Sequence, residues 1–333
     1  MIPLIQPLEH RPAWQQQLAT AVRSVDELLQ LVQVHPGKTT IRPLQNDFPL
    51  RVPHGFIQRM AKGDSRDPLL LQVLPVAREM EDVAGFTQDP LHEVDTMPTP
   101  GLLHKYPGRV LLTMTGACAV HCRYCFRRHF SYSEANPAPA HWQPAIEYLA
   151  QHPDISELIL SGGDPLTLTD TRLHSLTEQL ADLKHLRTLR IHTRLPVVLP
   201  ARIDSGLLSW IKAQTQKLVF VVHCNHPNEI DHSVTDALDK LTAAGVTLLN
   251  QSVLLRDIND NAATLARLSE RLFAAGVLPY YLHQLDKVQG AAHFEVVIEQ
   301  AGKIMSELRS MLPGYLVPRL VREIPGMSGK TPL

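Results

Sequence analysis

The sequence predicts a parallel α/β fold. The first observation behind this is an alternation that begins at Arg109, where short β-rich apolar runs give way to longer segments with apolar residues at helical spacing. The runs are residues 110–114, 157–160, 188–192, 218–223, 247–253 and 280–284, and the helical segments include 170–183, 236–244 and 262–275. Six strand–helix alternations read as parallel α/β. The second observation is that a cysteine loop and a glycine loop both fall just past strand ends, where doubly wound sheets and barrels alike gather ligand-binding groups. Spacing alone leaves sheet and barrel open.

Residues 1 to about 100 are rich in proline and polar residues and carry short amphipathic stretches. They are expected to form a mainly helical region ahead of a core spanning 101–333. One helix start is explicit: Ser24 stands as N-cap with Glu27 in the capping-box position. A turn-rich link follows at 90–101, where Pro90, Pro98 and Pro100 break regular structure. No internal repeat or low-complexity tract is visible.

Composition narrows the function. With 44% hydrophobic and 20% charged residues, the 333-residue chain can bury a sizeable core. Its net charge of −1 carries no electrostatic footprint for nucleic acid or an anionic membrane. No apolar run approaches the ~20 residues of a membrane span, and the first residues lack a signal-peptide core, so a cytoplasmic location is expected. Three of the four cysteines sit within eight residues, which points to metal ligation rather than a disulfide framework.

Those cysteines, Cys118, Cys122 and Cys125, have the spacing C-x3-C-x2-C immediately after the first strand. Such a loop can aim three thiolates at one [4Fe-4S] cluster and leave one iron without a protein ligand, which a chemically active cluster needs. A zinc loop completed by His121 or His129 is the alternative. Cys224, at the end of an apolar run, is expected to be a buried, inert thiol. Beyond the second strand, residues 161–165 read Ser-Gly-Gly-Asp-Pro, where missing Cβ atoms let backbone approach a ligand. Near the C-terminus, Lys330 lies in a glycine-containing loop and is chemically suited to form a Schiff base.

The cysteine loop, with the aromatic Tyr124 just before its third cysteine, resembles that of the radical S-adenosylmethionine superfamily. The resemblance implies a partial (β/α)6 barrel in which S-adenosylmethionine chelates the open iron and yields a 5′-deoxyadenosyl radical. It assigns Tyr124, Gly162, Gly163, Asp164 and Gln251 to S-adenosylmethionine binding, with a flavodoxin or ferredoxin as electron donor. From about Asp89 to Lys330 the chain further resembles lysine 2,3-aminomutases. The stretches are Asp-Pro-Leu-His-Glu at 89–93, Tyr-Pro-Gly-Arg-Val-Leu at 106–111, the cysteine loop with Arg127-Arg128, Thr-Arg-Leu-Pro-Val-Val at 193–198, His-Pro-Asn-Glu-Ile at 226–230, Asn-Gln-Ser-Val-Leu-Leu-Arg at 250–256 and the Pro-Gly-x-x-Gly-Lys ending.

That family resemblance implies an isomerase with pyridoxal 5′-phosphate held by Lys330 and its phosphate by Tyr106 and Arg109. It implies that Arg127 pairs with the carboxylate of substrate L-lysine, while Asp286 and Glu323 grip the ε-ammonium. Glu323 departs from the family's aspartate. The shortness of the chain past Lys330 resembles the branch that makes (R)-β-lysine for elongation factor P, linking the protein to that factor and its lysine ligase. The alternative is a free-lysine aminomutase of catabolism or osmolyte synthesis.

Overall fold

The computed structural model describes residues 11–35, 48–132 and 142–333. Nine strands form one sheet in sequence order: β1 (Leu102–Tyr106), β2 (Arg109–Thr115), β3 (Glu157–Gly162), β4 (Thr188–Thr193), β5 (Lys217–His223), β6 (Thr247–Val253), β7 (Leu278–His283), β8 (Arg319–Arg322) and β9 (Thr331–Pro332). Strands β2 to β8 pair in parallel, while β1 and β9 pair antiparallel at the two edges. Among the described residues β8 does not pair with β2, so the barrel stays open and its interior is reachable. Sheet and barrel, undecided by spacing, resolve to a partial (β/α)6 barrel.

The helices are α1 (Ala13–Ala19), α2 (Val25–Leu31), α3 (His54–Ile57), α4 (Pro68–Leu71), α5 (Gln143–Gln151), α6 (Asp170–Leu180), α7 (Leu195–Val198), α8 (Ser205–Lys212), α9 (His232–Ala243), α10 (Ala262–Ala274) and α11 (Ile298–Met311). Crossovers through α5, α6, α7–α8, α9, α10 and α11 make six β/α units. Their starts are written in the sequence as caps: Asp204, Asp231 and Asn261 each accept from the backbone N–H three residues on. Ser24 Oγ likewise accepts from Glu27 N at 3.4 Å, starting α2 where the pattern placed it. Helix α9 begins one turn before residue 236, because Asp231 caps it there.

All six expected strands are present. Strands β1, β8 and β9 were not expected: β1 and β8 each mix apolar and basic residues in a short run, and β9 has only two residues. The described N-terminal helices are not an appendage. Trp14, Leu28, Phe56 and Leu69 lie in the same buried apolar cluster as Leu158, Ile191 and Phe220. No helix among the described residues is long and apolar enough to cross a membrane.

Candidate active site

One cavity of about 310 Å³ lies within the barrel, lined by residues from its strands and the loops beyond them. Every residue assigned above to the cluster, a cofactor or the substrate lines it: the three clustered cysteines, Tyr106, Arg109, Tyr124, Arg127, Gly162, Gly163, Asp164, Gln251, Asp286, Glu323 and Lys330. Cys224 does not. It is fully buried behind β5, its N–H donating to Asn250 Oδ1 at 3.0 Å.

The cysteines occupy the loop after β2. Burial and their own mutual repulsion push the Cys118 thiol well up and the Cys125 thiol up to about 11. Three thiolates here therefore need a cationic partner, and the donor set fits an iron–sulfur cluster. The two histidines that might have completed a zinc site are engaged elsewhere. His121 Nδ1 meets Pro49 O at 2.8 Å and His129 Nε2 meets Gln289 O at 3.1 Å, and neither ring lines the cavity.

The loop's shape is imposed from two sides. The N-terminal segment clamps it: His121 N donates to Arg51 O, Arg123 N donates to Gln72 O, and the buried Arg123 guanidinium grips Glu79 and Phe48 O. Arg128 adds a second cation on Glu79 at 2.7 Å. Burial works to raise the Glu79 pKa, but the two arginines outweigh it and hold the carboxyl low. From the barrel side, Gly163 N donates to Thr115 O at 2.6 Å and Asp164 N to Ala117 O at 2.8 Å.

The glycines have a packing reason of their own. A Cβ on Gly163 would sit 2.3 Å from Ala117 O, and one on Gly162, whose φ is +114°, would sit 2.7 Å from Thr115 O. The glycine turn packs on the cysteine loop itself. Gly163→Ala is expected to cost roughly 1–3 kcal/mol, as overpacking does. It should also lower iron retention after anaerobic reconstitution, measured beside thermal unfolding.

Asp164 lines the cavity with its carboxylate already spent. It accepts from Thr193 Oγ1, Leu166 N and Arg194 N, and burial lifts its pKa to about 6. Tyr124 OH accepts from Asn225 Nδ2 at 2.6 Å, which seats the ring in the same wall. Gln251 Nε2 contacts His223 Nε2 at 2.7 Å.

Away from the cysteines, charged groups form a chain. Arg127 is bidentate to Glu93 at 2.7 and 2.9 Å and donates to Ser161 Oγ at 3.2 Å. Lys105 bridges Glu93 at 3.0 Å and Glu323 at 2.9 Å, and Lys330 Nζ donates to Glu323 Oε2 at 2.7 Å. Burial opposes charge on Glu323, yet Lys330 and Lys105 win and hold its pKa far down. The last strand makes this possible: β9 pairs back on β8 through Arg322 and Thr331, so Lys330 returns beside Glu323.

Asp286 and Arg109 also line the cavity and form no ion pair among the described residues. The Asp286 carboxylate accepts no hydrogen bond among the described residues; burial first, then Glu323, lifts its pKa to about 7. Arg109 stacks its guanidinium 4.6 Å from the Tyr106 ring and meets no carboxylate among the described residues. It begins β2, whereas the cysteines follow that strand's end, so the two ends of the cavity are roughly 20 Å apart along the strand.

Glu93, Lys105, Arg194 and the cavity histidines His192, His223 and His283 received no individual role from sequence. Burial keeps all three histidines neutral, His223 falling to about 3. Each sits at or next to the C-terminal end of its strand, which was a usable signal in a parallel α/β fold. Glu93 and Lys105 gave none, because only folding brings residues 93, 105 and 323 together.

Residues 106–190, which contain the cysteine loop and the glycine turn, match a family model described as a 4Fe-4S single cluster domain. A cluster loop of this spacing after the first parallel strand of an open (β/α)6 barrel defines the class: a radical S-adenosylmethionine enzyme. The relatives narrow it. L-lysine 2,3-aminomutase of Escherichia coli K12 is 52% identical over 97% of this chain and 95% of its own length. The enzyme of the same name from Haemophilus influenzae is 50% identical over 85% and 84%, and that from Clostridium subterminale 35% identical over 96% and 77%. The chain belongs to the L-lysine 2,3-aminomutase family, whose members are isomerases. A radical SAM methyltransferase structure from Sphaerobacter thermophilus aligns with a TM-score of 0.49 at 14% identity, over 66% of this chain and 68% of that one.

Proposed function

We propose that this protein converts (S)-α-lysine to (R)-β-lysine and supplies the product for modification of elongation factor P. The observation that carries the substrate assignment is the unengaged Asp286 carboxylate, which shares one cavity with Arg127, Lys330 and the cysteine loop. The names of the relatives support lysine as substrate. The elongation factor link is supported by the branch resemblance alone.

When bound, the cluster with S-adenosylmethionine supplies a hydrogen-abstracting radical, and pyridoxal phosphate supplies the π-system across which the amino group moves. The chain's own residues do the placing. Arg109 and Tyr106 offer a cation and a phenol to a phosphate, a pairing both side chains suit. Lys330 would hold the cofactor through its Nζ. Glu323 accepts from Lys330 Nζ and would be available to an ammonium with Lys330 committed to the cofactor. Arg127 keeps the substrate carboxylate at one end while Asp286 takes the ε-ammonium at the other, and two anchors fix which carbon faces the cluster. The barrel wall excludes water from that carbon.

Asp286 also sets a pH dependence. With its pKa raised to about 7 by burial, the carboxyl must lose a proton before it can pair with an ammonium. Lysine binding should therefore release a proton and weaken by roughly tenfold per pH unit below 7. Asp286→Asn should remove that dependence and weaken binding by about two or more decades, since breaking a buried pair costs ~3–5 kcal/mol. Titration of holoprotein with lysine at pH 6 to 8 checks both, and unchanged affinity in the variant would overturn the assignment. For the pathway, gene deletion should leave elongation factor P without its β-lysyl mass increment while growth on lysine as nitrogen source continues. The reverse pair of outcomes favours free-lysine catabolism. The protein is placed in the cytoplasm with its partner, with a flavodoxin or ferredoxin as reductant.

A further inference from the structure

We propose that Arg194 sets the reduction potential of the cluster through the sulfur of Cys122, with Glu229 as the opposing charge; this rests on reading Cys122 as a cluster ligand. Arg194 follows directly on β4 and is buried. Its Nη1 lies 2.7 Å from Cys122 Sγ, and its Nη2 donates to Gln72 Oε1 at 2.6 Å and to Glu229 Oε2 at 3.0 Å. Its backbone N–H is tied to Asp164, and the guanidinium carbon lies 5.4 Å from the Phe56 ring and 5.9 Å from the Tyr124 ring. A side chain held on so many sides cannot turn away from the sulfur.

Glu229 is built as its fixed counterion. The carboxylate is fully buried, and its Oε1 accepts from Asn225 N, His226 N and Gln72 Nε2 at 2.9, 3.0 and 3.1 Å. Donors approach it from three directions, which fixes the carboxylate in place. Gln72 touches both partners, so the N-terminal segment takes part in the arrangement.

The consequence for redox chemistry has a definite sign. One-electron reduction adds negative charge to the cluster, and donors to a ligating sulfur favour the reduced state. A buried guanidinium at contact distance is little screened by solvent, so Arg194 raises the potential. Glu229 lies one side chain further off and pulls it down. Family membership does not require this pair to act on the sulfur; the 2.7 Å contact suggests it.

The test uses anaerobically reconstituted wild type and variants without S-adenosylmethionine or pyridoxal phosphate, titrated with dithionite and mediators and read by electron paramagnetic resonance. Arg194→Gln should shift the cluster midpoint to a more negative potential and Glu229→Gln to a more positive one. Arg194→Lys, which keeps the charge but loses the fork, should fall between wild type and Arg194→Gln. Opposite signs separate an electrostatic role from loosened packing, which would move both glutamine variants the same way. Should Arg194→Gln retain no iron, Glu229→Gln decides alone: a more positive midpoint supports the proposal, and an unchanged or more negative one overturns it. An unchanged midpoint in an iron-replete Arg194→Gln protein also overturns it. A full iron complement in Cys122→Ala would instead refute the ligand reading, before Arg194 is tested.

Discussion

Replacing any one of Cys118, Cys122 and Cys125 by alanine is expected to abolish the cluster. Wild-type protein reconstituted without oxygen should carry about four irons per chain, and each variant should lose them together with S-adenosylmethionine cleavage. The loss should be all-or-none because the described loop offers no substitute: His121 and His129 are tied to backbone carbonyls away from the cavity. Cys224→Ala is the internal control. Its thiol is sealed in the apolar cluster with burial raising its pKa, so iron and activity should survive its loss. Iron lost with Cys224, or retained in any of the other three variants, would overturn the assignment.

Replacing Lys330 by alanine should be equally severe in turnover while sparing the iron. Borohydride reduction of wild-type holoprotein should trap the cofactor on the peptide carrying Lys330, and the visible band of lysine-bound pyridoxal phosphate should vanish in the variant. Turnover should fall by several decades. The fold should persist, because Glu323 keeps Lys105 at 2.9 Å when Lys330 is removed. Normal iron content with no trapped cofactor is the expected pair of readings. A label on another lysine would refute the role given to this loop.

These two outcomes differ in how far they could be reached from sequence. The cysteine loop is local: three ligands within eight residues, after one strand, are legible because neighbours in the chain are necessarily neighbours in space. Lys330 lies more than two hundred residues from those cysteines, and only the resemblance placed it in the same site. The barrel carries it there by bringing β8 around and pairing β9 back on that strand.

At some positions the fold adds a constraint that the sequence did not show. The glycines at 162 and 163 were read as a place for ligand approach, whereas their tightest constraint is the carbonyls of the loop opposite. Asp164 was assigned to S-adenosylmethionine, and its carboxylate is consumed in joining β3 to β4. In both cases the partner atoms lie tens of residues away, out of reach of any spacing rule.

By itself the sequence determined the alternation of strands and helices, the Ser24 cap of α2, the three-cysteine loop and the segments that mark the family. All of these depend on short-range geometry, with periods of two and 3.6 residues and a few residues of reach. Spacing left sheet and barrel open and the family resemblance implied the open barrel, but only the tertiary structure decided that the N-terminal segment clamps the cysteine loop. It also decided that Glu93, Lys105, Glu323 and Lys330 form one chain while Asp286 and Arg109 stay outside it. Those outcomes depend on which distant side chains share a buried volume. There an unpaired charge is costly, so its pairing is a property of the packed site and not of any stretch of chain.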